Sequence, residues 1–496
     1  MTISINNTEQ NIYKLFLVTF IIALLTYGFS FTNYTLNIDN EMPILSDYGL
    51  DLGRWGHHLI LYRLLGGHLT YFSLFFSLLL YSIAAVKISN LLKLNDYSAY
   101  IFCGLFVNFP QLSYQVIFGM MSVIAALSVL LSTYGIELFE KGFNTKPLWK
   151  KTVIYLTVAL LIMFTLAMYQ AFILIPVTLF LILFFQSTFD NDFKIGIQIK
   201  KTLVFGVVIL ISGLLYYLSV KIICPLPKGG YVESFISGGN SSFFDNFITI
   251  AKANLTGKFY YGETLYFLIT ILIVIISIKL LLKKTYFIYR FLTLLLILLS
   301  PFTLSFFITS GYHPPRLYLT SNLVFAFVLV YSINLFKVNS LKTTSTAILL
   351  ILVLNTFFIT KLFYSANRIY RHDKRIAEKI DNIIQSKYPE FNTSEKMVYF
   401  YGYFPYEYHQ KFRLESSEIF GGSFYNWDNG NNYRLINFFK EAEVAEYNMI
   451  SKEKFNSVKD SISKMPSWPN YESIKLINNT IVIKLGNEKG QPLYFE

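Results

Sequence analysis

Residues 37–60, NIDNEMPILSDYGLDLGRWGHHLI, gather four carboxylates (Asp39, Glu41, Asp47 and Asp51), an Arg54-Trp55 pair and the adjacent histidines His57 and His58. They follow the first long apolar run of the chain. A carboxylate beside a lipid surface can take a proton from a sugar hydroxyl. A guanidinium such as Arg54 or Arg63 can hold a phosphate by a fork of hydrogen bonds. A base and a phosphate clamp together are what transfer of a lipid-linked sugar needs. The competing reading is a solvated loop leading into an interfacial helix over 56–70. His57, His58, Arg63 and His68 would then lie at headgroup depth, and Asp47 or Asp51 would cap the helix.

Further candidates recur between apolar runs. In PLPKGGYVESFISGGNSSFFDN, 225–246, Lys228 followed by two glycines can wrap a phosphate or belong to a plain flexible loop. Glu233 and Asp245 are reserve acids there. In SGYHPPRLYLTSN, 310–322, Arg316 is fixed by Pro314 and Pro315 where a helix begins, and either reaches a phosphate or snorkels. Tyr169 and Gln170 occupy a tight bend, where they either bind a sugar or close the turn. Lys221, at the end of a span, pairs with phosphate or snorkels. The stretch GGSFYNWDNGNNYR, 421–434, mixes glycines, aromatics, amides and an acid, which suits sugar binding and an ordinary loop equally. No Walker sequence, dinucleotide fingerprint, H-E-x-x-H or nucleophile elbow occurs. Cys103 and Cys224 provide neither a disulfide framework nor a metal spacing.

The elements that must position these residues are membrane helices. The chain has 496 residues, 54% hydrophobic and 15% charged, against about a quarter charged in soluble domains. Apolar runs predict eleven spans, near 12–30, 71–91, 98–109, 114–135, 152–169, 171–188, 202–222, 264–282, 286–308, 319–336 and 343–363. The third is short and stops at Asn108-Phe109-Pro110. The first is too long for a signal-peptide core and is read as a retained helix. The net charge of +12 comes from lysines in alternate short loops, which predicts those loops to be cytoplasmic and implies no nucleic-acid partner. The N-terminus is then cytoplasmic, and the loops 31–70, 223–263 and 309–318 and the C-terminus lie outside. Hydropathy collapses after residue 364. The predicted organisation is a transmembrane catalytic domain over 1–363 and a soluble α/β domain over 364–496. The latter has a helix over 367–386, a strand over 397–403, helices over 433–443 and 452–464, and a closing hairpin around Asn478-Asn479.

Several of these segments resemble one family. IDNE soon after the first helix, LGRW just beyond it, YQAF at a tight bend, PPRLYL before a late helix and the tail MPSWPNYESIKLINNTIVIKL resemble the bacterial and phage O-antigen glucosyltransferases of the serotype-converting type. The resemblance spans nearly the whole chain and implies a GT-C-like membrane glycosyltransferase of the inner membrane. It implies glucose carried on undecaprenyl phosphate and transferred to lipopolysaccharide O-antigen on the periplasmic side, with a separate synthase and a small flippase supplying the donor. The GT-C pattern places an essential acid in the first outer loop, where Asp39 and Glu41 stand. Asn40 separates them, which leaves open which is the base. On this reading Arg54, Arg316 and Lys221 bind the donor phosphate, and Tyr169, Gln170, His57 and Lys228 bind substrate. The reaction inverts the anomeric carbon and requires no cofactor, although Asp39 and Glu41 can also ligate a metal.

Two rivals remain. One is a GT-C transferase for another sugar, such as arabinose or mannose, or another envelope glycan. The other is a lipid-linked glycan flippase or transporter, which would place charges at the bilayer midplane. Here the spans are nearly free of acids.

Overall fold

The computed structural model describes residues 5–42, 49–67, 69–224, 240–257, 260–283, 286–310, 313–336, 341–391, 397–403, 414, 417–491 and 493. Asp47, His68, Lys228 and Glu233 lie outside the described residues. The chain divides into two compact units, 1–28 with 44–360 and 29–43 with 361–496.

The first unit is helical: α1 (Ile5–Thr26), α2 (Thr70–Leu91), α3 (Asp96–Asn108), α4 (Gly119–Asn144), α5 (Leu148–Met168), α6 (Leu174–Ser187), α7 (Ile195–Ile223), α8 (Phe243–Thr256), α9 (Phe267–Lys283), α10 (Phe287–Leu299), α11 (Ser321–Phe336) and the start of α12 (Leu341–Lys387). Eight helical segments among the described residues are long and apolar enough to cross a membrane, and three shorter apolar ones, Asn11–Thr26, Tyr97–Asn108 and Ser321–Phe336, join them. These positions coincide with the predicted apolar runs. The chain is a polytopic helical membrane protein with a C-terminal α/β region.

Packing sorts the helices. α2 lies against α4, α4 against α5, and α5 against α7. α11 is buried along its first ten residues, Ser321 to Val330. By contrast, α7 exposes Leu203, Val207, Leu210 and Leu214, an apolar face that suits lipid. Charge collects near one end of α4, where Glu137 pairs with Lys87 at 2.7 Å and Lys141 at 2.8 Å, and Glu140 with Lys201 at 2.6 Å. α3 stops as predicted, because Pro110 forces Phe109 into extended backbone (φ −76°, ψ 132°). The Asn108 amide nitrogen donates there to the Thr26 hydroxyl at 2.8 Å and the Thr356 hydroxyl at 2.9 Å.

Three boundaries differ from expectation. The fourth helix begins at Gly119 rather than 114, because residues 110–116 form two separate short turns. The helix expected over 56–70 is a short α turn, Trp55–His58, continued by a π turn to Leu64, and it ends before Gly66 (φ 71°) and Gly67 (φ 116°). The stretch treated as loop at 223–263 contains α8. Its start is marked by Ser242 and Asp245, which form a capping box.

The second unit carries a four-stranded sheet of order β2-β1-β4-β3, from β1 (Met397–Tyr401), β2 (Asn448–Met449), β3 (Ile474–Ile477) and β4 (Thr480–Lys484). β1 runs parallel to β2 and β4, and β3 is antiparallel to β4. The β3–β4 hairpin turns at Asn478 and Asn479, both left-handed (φ 48° and 62°), which a type I′ turn demands. α13 (Asn432–Glu441), α14 (Lys452–Ile462) and the second half of α12 complete the unit. Asn432 bridges α13 to β1, accepting from the Phe400 N–H at 2.8 Å and donating to its carbonyl at 2.7 Å. From α12, the buried Asp373 accepts from the Ser423 hydroxyl at 3.0 Å and the Phe424 N–H at 2.9 Å. Burial pushes its carboxyl up to about 8 despite those donors.

Candidate functional site

In the second unit, the segment after α1 is fixed at several points. Leu36 and Ile38 are buried. From α12, Asn367 donates to the Tyr34 carbonyl at 3.0 Å and the Thr35 hydroxyl at 2.9 Å. The Asn40 N–H closes a turn on the Asn37 carbonyl at 3.0 Å, and Asp39 takes a left-handed φ of 73° within it. Aspartate tolerates that conformation better than most residues. The turn aims Asp39 and Glu41 at one guanidinium despite the intervening Asn40.

That guanidinium is Arg434 of α13. Its Nη2 meets Asp39 Oδ1 at 2.7 Å, its Nη1 meets Glu41 Oε1 at 2.5 Å, and its Nε meets Asp428 Oδ2 at 2.6 Å. One arginine thus serves three carboxylates. The Glu41 side chain is 0% exposed and that of Asp39 33%. Burial pushes the Glu41 carboxyl up to about 7, against the attraction of Arg434 and helped by the charge on Asp39. Burial also works against the Arg434 charge, but the three acids outweigh it and hold the guanidinium more firmly protonated than usual. The arrangement therefore offers a solvent-reached carboxylate, Asp39, beside a buried carboxyl that titrates near neutrality.

Sequence alone does not single out Arg434 and Asp428. Both lie in the 421–434 stretch, two of whose amides are structural: Asn432 bonds the Phe400 backbone, and Asn431 caps α13 by accepting from the N–H groups of Tyr433 and Arg434. The available signal is physical. Two acids beside a membrane need a cation, and Arg434 opens a helix that buries Leu435, Phe438 and Phe439.

In the first unit, a second group forms where the first loop meets the bend between α5 and α6. The Arg54 guanidinium lies 4.6 Å from the centre of the Tyr169 ring. The Gln170 amide donates to the Leu52 carbonyl and the Tyr216 hydroxyl, both at 2.8 Å. Trp55 donates to the Ser219 hydroxyl at 2.9 Å. Gly53 is left-handed (φ 73°), and a side chain there would meet the Tyr216 hydroxyl at 2.9 Å. Gln170 thus holds the loop in this structure. His57 is buried beside Gly49. Lys221 is exposed on the last turn of α7, over the Tyr217 ring at 4.5 Å.

Arg316 sits in the short Pro315–Tyr318 turn, half-buried, 5.6 Å from the centre of the Phe118 ring. The Gln111 amide holds the Pro315 carbonyl at 2.8 Å, and the Gln115 amide holds the Arg316 carbonyl. The backbone carrying Arg316 is therefore gripped from the 110–116 turns. Asp51 is exposed and caps none of the described helices: the N-cap of the Trp55–His58 turn is Arg54, without a side-chain bond. Asp245 is exposed and caps α8, with its carboxyl held below the usual range by the Ser242 hydroxyl and N–H. Among the described residues, no group of three or more metal-ligating side chains is gathered.

Residues 28–332 match the family model described as Glucosyl transferase GtrII. The match includes Asp39, Glu41, Arg54, Tyr169, Gln170, Lys221 and Arg316 and ends before Asp428 and Arg434. No curated protein matches the chain, and no solved structure does.

Proposed function

The chain belongs to the glucosyl transferase GtrII family, and we propose that it moves glucose from undecaprenyl phosphate to lipopolysaccharide O-antigen on the periplasmic side of the bacterial inner membrane. It is a glycosyltransferase with a lipid-linked sugar donor and a glycan acceptor, in keeping with the O-antigen modification of its family. The family match across 28–332 carries the reading. The transporter rival is disfavoured because the two acids of α4 pair with lysines near its end, whereas a transporter needs charge at mid-membrane.

In this reading the chain crosses the membrane eleven times, with the N-terminus cytoplasmic and residues 364–496 periplasmic. A donor synthase and a small flippase supply glucosyl-phosphoryl-undecaprenol. The acceptor hydroxyl oxygen attacks C1 of glucose, the C1–O bond to phosphate breaks, and the anomeric carbon inverts. In the second unit, Asp39 takes the hydroxyl proton, because it combines ion pairing with access to solvent. Glu41, fully enclosed, is a positioning residue acting through Arg434. In the first unit, Arg54, Arg316 and Lys221 supply positive charge to the leaving phosphate, and Tyr169 and Gln170 hold the loop that carries Arg54. Positioning and charge stabilisation are the main catalytic tasks, since phosphate is a good leaving group.

The direct test compares O-antigen from cells with and without the gene. A glucose branch is expected only when the gene is present; identical glycans would end the proposal. Alkaline phosphatase fused to the C-terminus is expected to be active, and an inactive fusion at normal abundance would invert the topology. Arg316→Lys keeps the charge but loses the planar fork. At least a tenfold loss of transfer is expected with normal membrane insertion, and full activity would reduce Arg316 to an interfacial anchor.

A further inference from the structure

The second unit contains a cavity that the proposed transfer chemistry does not use. β1 alternates its side chains, so Tyr399 and Tyr401 share one face. α14 places Lys452, Phe455, Asn456, Lys459 and Ile462 at helical spacing along one side. Between strand and helix lies a cavity of about 440 Å³, lined by these seven residues together with Asp460 and Lys489. That size lies within the range of roughly 300–1,000 Å³ typical of small-ligand sites. Its floor is firm. Tyr399 and Ile462 belong to a buried cluster with Ile450, Val458 and Val482, and the Phe455 ring meets the Tyr399 ring edge-on at 5.4 Å.

We propose that this cavity binds an anionic saccharide, a sugar bearing carboxylate or phosphate within the acceptor glycan. Tyrosine and phenylalanine rings offer flat apolar faces to a sugar ring, and Asn456 and the tyrosine hydroxyls match its hydroxyls. Three lysines oppose one aspartate in the lining, which favours a negative ligand. Neither Lys452 nor Lys459 enters an ion pair among the described residues. Assigning the ligand to the saccharides rests on the glucosyltransferase reading; its negative charge rests on the cavity. The site would make acidic glycans better acceptors without taking part in bond exchange.

The test titrates the full-length protein, in nanodiscs of phosphatidylcholine, with trigalacturonate, galactose 6-phosphate and neutral maltotriose. Trigalacturonate and galactose 6-phosphate separate the carboxylate source from the phosphate source. At least one of them is expected to bind, more tightly than maltotriose and more weakly as salt rises. The double variant Lys452→Gln/Lys459→Gln is expected to weaken that binding roughly tenfold while leaving transfer to a neutral acceptor unchanged. Equal binding of acidic and neutral probes, or unchanged binding by the double variant, would overturn the proposal. Glucose transfer without anionic binding removes the cavity's role and leaves the enzyme reading standing. Lysine-dependent binding without transfer does the reverse.

Discussion

Asp39→Asn is expected to lower glucose transfer by roughly 10²–10⁴-fold, the usual contribution of a general base, with normal protein abundance. The substitution keeps the size of the side chain and an oxygen for Arg434, which now meets Asp39 at 2.7 Å. Glu41→Gln is expected to retain transfer but to alter its pH profile. Burial holds the Glu41 proton up to about pH 7. As pH rises through that value, Glu41 gains charge and competes with Asp39 for Arg434, which frees the Asp39 oxygens to meet the acceptor hydroxyl. Wild-type transfer should therefore climb across pH 6–8, and the Glu41→Gln profile should lack that limb. Near-normal turnover by Asp39→Asn would remove Asp39 as the base. A pH limb unchanged in Glu41→Gln would show that Glu41 does not act through its charge.

Arg434→Gln is expected to destabilise the second unit most. Removing one partner of a buried ion pair costs about 3–5 kcal/mol. The lower end applies here, because the Asp39 and Asp428 side chains are 33% and 39% exposed and keep part of their hydration. The sign of the pH dependence comes from Glu41. Its folded pKa, about 7, lies above the ordinary 4.5, so its contribution to stability is full below the ordinary value and is lost as pH rises through about 7. The Arg434→Gln protein should accordingly be more protease-sensitive at pH 8 than at pH 5.5, read by limited proteolysis of residues 361–496 in membranes. Adding Glu41→Gln should restore part of the protection at pH 8. A double variant no more resistant than the single would mean that the Arg434–Glu41 pair does not support the unit.

Much of the helical frame was legible, because a bilayer-length apolar run has few alternatives to a membrane helix. The stop at Asn108-Phe109-Pro110 and the Asn478-Asn479 hairpin were legible because proline and paired left-handed asparagines restrict the backbone locally. The start of α4 was placed too early, at 114, although Pro110, Gln111, Ser113 and Gln115 make residues 110–116 more polar than the helix after them, and that stretch folds into short turns. The candidate site was half legible. Asp39 and Glu41 stood out as adjacent charges in an apolar setting. Arg434 and Asp428 did not, because almost 400 residues of sequence separate Arg434 from its first-loop partners, and no local pattern encodes such a pairing. The tasks of Gln170 and Asp245 stayed open in the sequence, since an amide in a bend or an acid near a helix start serves ligand and backbone equally well until its partners are seen.

The most direct measurement of the central claim uses the purified protein in proteoliposomes with synthetic undecaprenyl-phosphate carrying labelled glucose and with isolated O-antigen. Label should enter the glycan from the lipid-linked donor, with inversion at the anomeric carbon, and none should enter from nucleotide-activated glucose. Transfer from the nucleotide donor alone, or no transfer from the lipid donor by protein shown to be folded, would contradict the account.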